Sequence, residues 1–321
     1  MNRSLMTVSL ALAAIAGCAS TAEPGPDAEQ KPSVGAIALE GSDADGPPIL
    51  MWRFWHDDGP ISYALALPDG VKSETKLIPA RAAELLSGSD AFVYTSLFPG
   101  EAIDPKVGES MFKNRGMLEG GQTLADLLPK STFERAAARL GPAMQMLGQM
   151  RPWVVGAFVE MQIANKAKFK PALDIFVGRA SGIPERPHPE IAHDLAYGLL
   201  ETLSYLSPDD EVAFLNESLD ALDRDPKADQ TREARWLTGD AEDAWTHELS
   251  RQEADGPQHA KLQRVMRKQA RVMVNRAVHS DLGNKAVFVA APLGTLMDDD
   301  GLLLTLVRAG VQVEQLRARS Q

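Results

Sequence analysis

Six histidines, one cysteine and scattered carboxylates are the side chains in this sequence most able to do chemistry, and few of them stand at spacings that chemistry requires. His56-Asp57-Asp58 runs into Gly59-Pro60 between two strand-like runs, which reads most simply as a charged hairpin turn. His188 and His193 flank Glu190 at a spacing that could share a helix face, but Pro189 disrupts the start of that helix, so a surface pair is the simpler reading. His279 and Asp281 fall at a helix end, where the macrodipole favours an imidazolium. His247 and His259 complete the six. Asp298-Asp299-Asp300-Gly301 lacks the alternating ligand spacing of an EF-hand and reads as helix N-capping. Met144, Met146 and Met150 fall on one helical stripe and read as core or groove lining. No Gly-x-Ser-x-Gly elbow occurs, and Gly116 to Gly121 lacks the Lys-Ser/Thr of a phosphate loop.

Cys18 is the residue with the clearest chemistry. Arg3 supplies a positive end, Leu5 to Ala16 is a short apolar run, and the small residues Ala16 and Gly17 precede the cysteine. That is the layout of a secretory signal, with an apolar run too short to span a bilayer comfortably. Ile15-Ala16-Gly17-Cys18 resembles the bacterial lipobox, in which the cysteine becomes the lipid-carrying first residue of the mature chain. Cys18 is the only cysteine, so disulfides within the chain and cysteine-based metal sites are excluded, and a lone thiol is an odd choice for an exported protein unless it is modified. Ala19 and Ser20 follow, with no Asp directly after the cysteine, which by resemblance to sorted lipoproteins favours the outer membrane. The expected location is the bacterial cell envelope, lipid-anchored and facing the periplasm.

Residues 1–17 thus read as a signal peptide and 18–48 as a lipidated cysteine followed by a flexible tether. The tether is small, polar, acidic and rich in Gly and Pro, and such composition cannot bury enough surface to offset chain entropy. The body, 49–321, is long enough for a sizeable core. Lys plus Arg number 33 and Asp plus Glu 44, a formal net charge of -11. That charge repels phosphate backbones, so a nucleic-acid partner is excluded, while a peptide or protein partner stays open.

The elements that must position any site follow from periodicity. Leu50 to Trp55 and Ile61 to Leu67 read as a hairpin, Ala80 to Leu86 as a short helix, and Ala91 to Leu97 as a buried strand. From Thr123 to about Leu282 the periodicity is mostly helical. It includes segments at Thr132 to Leu140 with Ser131 as a cap, Pro142 to Gln149, Trp153 to Lys168, Ala172 to Ser181 and Ile191 to Leu206. It continues through Asp209 to Leu222, Ala228 to Leu237, Asp240 to Gln252 and Gln258 to His279. Strand character returns at Ala286 to Ala291, then a helix at Leu302 to Arg308 with Gly310 past its end, and a closing strand at Val311 to Leu316. The expected fold is mixed α/β (α+β), one sheet built from N- and C-terminal strands with a long helical block inserted between them.

An ordered series of segments carries a resemblance. Met51-Trp52-Arg53 leads a hairpin ending in Leu67-Pro68. Gly121-Gln122-Thr123-Leu124-Ala125-Asp126-Leu127-Leu128-Pro129 follows, then Met150-Arg151-Pro152-Trp153 and Asp174 with Arg179-Ala180 and Gly182-Ile183-Pro184. After them come Leu206-Ser207-Pro208-Asp209-Asp210-Glu211, Val287-Phe288-Val289-Ala290, Gly301-Leu302-Leu303 and Arg308-Ala309-Gly310. From about Leu50 to Val313 the chain resembles the TraB/GumN family, bacterial relatives of the TIKI-type proteases.

The resemblance implies metal-dependent hydrolysis, with Gly-x-x-His after the first hairpin, acidic residues at a strand end, and a second Gly-x-x-His-like motif after the late strand. Imidazole and carboxylate ligands would hold a divalent ion that makes bound water nucleophilic. This sequence departs at each point. The first motif falls on Ser62-Tyr63-Ala64-Leu65, with Ser62 at the Gly position and Leu65 at the His position. The acidic strand end holds Thr95 and Leu97. The late motif falls on Pro292-Leu293-Gly294-Thr295, with Pro292 for Gly and Thr295 for His. A further Gly-Leu-Glu-Thr-like stretch falls on Pro187 to Glu190 without a gap or on Leu199-Leu200-Glu201-Thr202 with one, and an Arg-Asn pair on Arg267-Lys268 or, with a shift, Asn275-Arg276. Leu65 cannot ligate a metal, and the threonine hydroxyls are poor ligands. The expectation is a catalytically silent relative with no metal cofactor. The alternative is a divergent hydrolase using Zn or Mn through residues such as His56 or Glu201.

Overall fold

The structure, a computed structural model, describes residues 35–38, 50–68, 70–72, 80–96, 113–167, 169–183, 190–194, 201–224, 234–281 and 284–317. Residues 1–17, read above as a signal peptide, and Cys18 lie outside the described residues. Among the described residues no helix is long and apolar enough to cross a membrane.

The chain opens with β1 (Gly35–Ala38), then the hairpin β2 (Met51–Trp55) and β3 (Ser62–Leu67). The turn between them is the expected His56-Asp57-Asp58-Gly59-Pro60. Gly59 N–H donates to His56 C=O at 2.9 Å, and Asp57 adopts φ +47°, which a short polar residue tolerates. β4 (Gly70–Lys72), helix α1 (Ala80–Ser87) and β5 (Ala91–Ser96) complete the first half of the sheet region.

The helical block follows: α2 (Leu124–Leu127), α3 (Lys130–Leu140), α4 (Ala143–Leu147) and α5 (Pro152–Ala167). The N-cap position of α3 is Pro129 rather than the expected Ser131, because Pro129 C=O already accepts from Phe133 N–H and the helix starts earlier than its periodicity suggested. β6 (Phe169–Pro171), α6 (Ala172–Ala180) and β7 (Glu190–Asp194) come next. The helix expected from Ile191 is a strand at its start. Parallel pairing with β5, Val93 opposite Ile191 and Thr95 opposite His193, captures those residues for the sheet edge.

α7 (Pro208–Asp223) is started by Ser207, whose hydroxyl accepts from Asp210 N–H at 3.2 Å, with Pro208 and three acids in the first turn, a sequence suited to a helix N-terminus. α8 (Ala241–Asp255) and α9 (Pro257–Asp281) follow, then β8 (Val287–Pro292), α10 (Leu293–Met297), α11 (Leu302–Arg308) and β9 (Gln312–Arg317).

The principal sheet has seven strands in the order β1-β9-β2-β3-β8-β5-β7. β2 runs antiparallel to both β3 and β9, and the other pairings are parallel. Strands from the two ends of the body therefore interleave, with the helical block inserted between β5 and β8, in accord with the sequence pattern. β4 and β6 form a separate two-stranded ribbon. Gly35–Ala38 falls inside the segment read as tether and joins the sheet.

Two apolar cores result. One lies around the sheet and includes Phe92, Phe176, Phe288 and the distal residues Val274 and Val278 of α9. The other lies within the helical block and includes Trp153, Phe214, Leu215 and the proximal residues Leu262 and Met266 of α9. At about 1.5 Å per residue, α9 is long enough to span both. Within the block α5 and α7 pack closely at Gly156, where a Cβ would lie 2.8 Å from the Phe214 ring.

Candidate functional site

β3, β8 and β5 are adjacent and parallel, so their carboxyl ends meet at one margin of the sheet, the usual location of a site in such sheets. Leu67 stands opposite Pro292 there, and Pro292 is also the N-cap residue of α10, which carries Thr295. The positions singled out in the sequence divide. Thr95, Pro292 and Thr295 belong to this margin. Ser62 begins β3 at its opposite end, where its buried hydroxyl accepts from Val287 N–H at 3.0 Å and ties β3 to β8.

Leu65 faces away from Thr95. Leu65 and Tyr94 both stand opposite Ala290, so they share the sheet face on which Phe92 and Phe288 meet Phe176 of α6. Thr95, one residue on from Tyr94, points to the other face. That is the side of α9, α10 and α11, because right-handed crossovers into β8 and β9 run opposite to those through α1 and α6. Leu65 is completely buried in the sheet core. Thr95 and Thr295 are also buried, at 0% and 1% exposure, and neither hydroxyl has a hydrogen-bond partner among the described residues.

α9 brings basic side chains to this margin. Arg267 lies against Gly294, where a Cβ would stand 2.7 Å from Arg267 Cδ, and its guanidinium sits 5.8 Å from the Trp245 ring centroid. Lys268 is exposed. Arg267, in one of the two placements open in the sequence, thus reaches the late motif. Arg267 and Arg271 both approach Asp298, at 3.7 and 3.8 Å, and Arg271 pairs with Asp300 at 2.7 Å. The Asp298 to Asp300 run thus serves these arginines instead of capping α11, whose N-cap residue is Gly301.

The remaining candidates divide in the same way. His56 is exposed and pairs with its neighbour Asp57 at 2.9 Å. Glu201 is exposed. His279 Nδ1 sits 2.8 Å from Asn275 C=O within its own helix. His188 and Leu97 lie outside the described residues, whereas His193 stands opposite Thr95 in the β5–β7 register and so belongs to this margin.

A buried charge cluster in the helical block went unrecognised in the sequence. His259, 1% exposed, lies between two carboxylates, with Nε2 3.0 Å from Glu160 and Nδ1 2.9 Å from Glu217. Burial opposes its charge, but hydrogen bonds and attraction from both acids outweigh this and push its pKa up to about 9. Glu217 also accepts from the Gln258 and His259 N–H groups, capping α9 from a neighbouring helix. A signal was present in sequence: Glu160 ends the apolar run Trp153 to Val159. The two carboxylates engage opposite ring nitrogens, so they do not converge on one ion. No group of three or more His, Cys, Asp or Glu suited to a metal ion occurs among the described residues. Nearby, Arg151 pairs with buried Glu211; burial raises the Glu211 pKa and Arg151 opposes the rise.

The sequence model of the TraB/PrgY/gumN family matches residues 79–315, well over half of the chain. The chain belongs to the TraB/PrgY/gumN family. The matched stretch takes in Thr95, Pro292, Thr295 and Arg267, and begins after the hairpin that carries Ser62 and Leu65. Arg151 and Glu211, which pair here, come from two of the segments that suggested the TraB/GumN resemblance, so part of that pattern is a structural tie between α5 and α7. No curated protein and no solved structure matches the chain.

Proposed function

We propose that this chain is an exported bacterial lipoprotein, anchored through Cys18 and facing the periplasm from the outer membrane. On this reading its TraB/PrgY/gumN scaffold no longer performs metal-dependent hydrolysis and acts by binding a peptide or protein in the envelope. The observation that carries the reading is the identity and burial of Leu65, Thr95 and Thr295. An aliphatic side chain and two neutral hydroxyls stand where the resemblance calls for imidazoles and a carboxylate, and they offer a divalent ion neither charge nor a strong donor. The register adds to this, since Leu65 and Thr95 point to opposite faces. The lipobox-like Ile15-Ala16-Gly17-Cys18 supports the anchor.

Two measurements test the proposal. Metal analysis of the purified full chain, with peptide hydrolysis followed with and without chelator, should find no stoichiometric Zn, Mn or Co and no chelator-sensitive turnover. One metal per chain with activity that chelation abolishes would overturn the silent reading and establish a rebuilt hydrolase. Mass spectrometry of the N-terminal peptide from the native host should find Cys18 as the first residue carrying a thioether-linked lipid. A free thiol there would remove the anchor.

A further inference from the structure

We propose that the outer edge of β9 is a docking site for an extended peptide of small apolar residues running parallel to the strand, and that Gly35–Ala38 occupies this site in cis. The proposal deepens the peptide-binding reading and rests on it. β1 pairs with β9 in a defined register: Gly35 with Glu314, Ala36 with Gln315, Ile37 with Leu316, and Ala38 with Arg317. On its other side β9 pairs with β2 over Met51 to Trp55, so removing β1 leaves each of the other pairings of the sheet in place.

The composition of β1 shows what the edge recognises. Its sequence is Gly-Ala-Ile-Ala, so one side chain extends beyond Cβ. Recognition must come mainly from main-chain hydrogen bonds, which is how β-addition sites take extended peptides. A four-residue parallel ladder at a sheet edge is among the weaker pairings a sheet can make. An edge strand held this way is exchangeable, and the edge it uncovers must pair again or meet water. The incoming peptide needs backbone N–H groups on its bonded positions, which excludes Pro there, and small side chains.

The test uses the full chain in detergent, with amide hydrogen exchange read across β9. The probe is a synthetic peptide with the sequence of residues 31–42. Positions bonded to β9 alternate along β1, so Ala36→Pro is combined with Ile37→Pro, which removes a bonded donor in either phase and leaves the other strands untouched. In that variant the β9 amides should exchange about tenfold faster or more, with β3 and β8 unchanged, and added peptide should restore protection. Should this double variant fold poorly, Ile37→Cys with Leu316→Cys in a Cys18→Ser background serves instead. That register pair should form a disulfide under mild oxidation, and the oxidised form should refuse the peptide that the reduced form accepts. Unchanged β9 exchange in the double proline variant, failure of the peptide to restore protection, or equal peptide uptake by oxidised and reduced forms would each overturn the proposal. Cleavage of the peptide during the experiment would instead sink the non-hydrolytic reading, which mass spectrometry of the recovered peptide distinguishes.

Discussion

The sheet margin and the helical block differ in which side chains they bury. At the margin, Thr95 and Thr295 are buried hydroxyls with no partner among the described residues, and Leu65 is plain core. In the block, buried ionisable groups are held at short distance by complementary ones: His259 by Glu160 and Glu217, and Glu211 by Arg151. Charge in the block joins helices, and at the margin Arg267 and Arg271 meet Asp298 and Asp300.

Four changes to the molecule test that contrast. The largest effect is expected from Glu160→Ala, which leaves His259 buried with one acid fewer. Denaturant unfolding should show a loss of about 3–5 kcal/mol. A loss under about 1 kcal/mol would mean that the cluster carries little of the block's stability. Ser62→Ala comes next. It orphans the buried Val287 N–H, and should cost about 1–3 kcal/mol in the same assay.

Alkaline pH should act on the block and spare the margin. His259 binds its proton more tightly in the folded state, at about 9 against an ordinary value of 6.5. The stability it contributes is therefore fully present below pH 6.5 and drains away as pH climbs through about 9. The unfolding midpoint should fall as pH rises from 6.5 through about 9 in the native chain and much less in His259→Gln; equal slopes would contradict the assignment. The smallest effect belongs to Thr95→Val, which removes an unpartnered hydroxyl at nearly constant shape. It should be neutral or stabilising by up to about 1 kcal/mol. If Thr95→Val proved as costly as Ser62→Ala, the two hydroxyls of this sheet would be equivalent and the contrast would fail.

The strong periodic segments were legible before the fold was known. α11 spans the expected Leu302 to Arg308, and the strands of both termini share one sheet because their apolar runs alternate or are wholly buried. What escaped was non-local. β1 is four weak residues recruited by an edge, β7 begins where helical spacing was read, and β4 with β6 pairs two three-residue pieces far apart in sequence. At the site, the substitutions at Leu65, Thr95 and Thr295 could be read directly from side-chain chemistry. That Leu65 faces away from Thr95 depends on register across three strands, which no local pattern carries. His259 escaped because its partners stand 99 and 42 residues away.

The most direct test of the silent margin is thermal unfolding of the full chain with Zn, Mn or Co at millimolar excess and again with chelator. A ligand that binds the folded state raises the melting temperature by mass action. With Leu65, Thr95 and Thr295 at the positions where the resemblance calls for ligands, the curves should superimpose. A rise of several degrees with one metal, reversed by chelator and lost in Thr295→Ala, would contradict the silent margin.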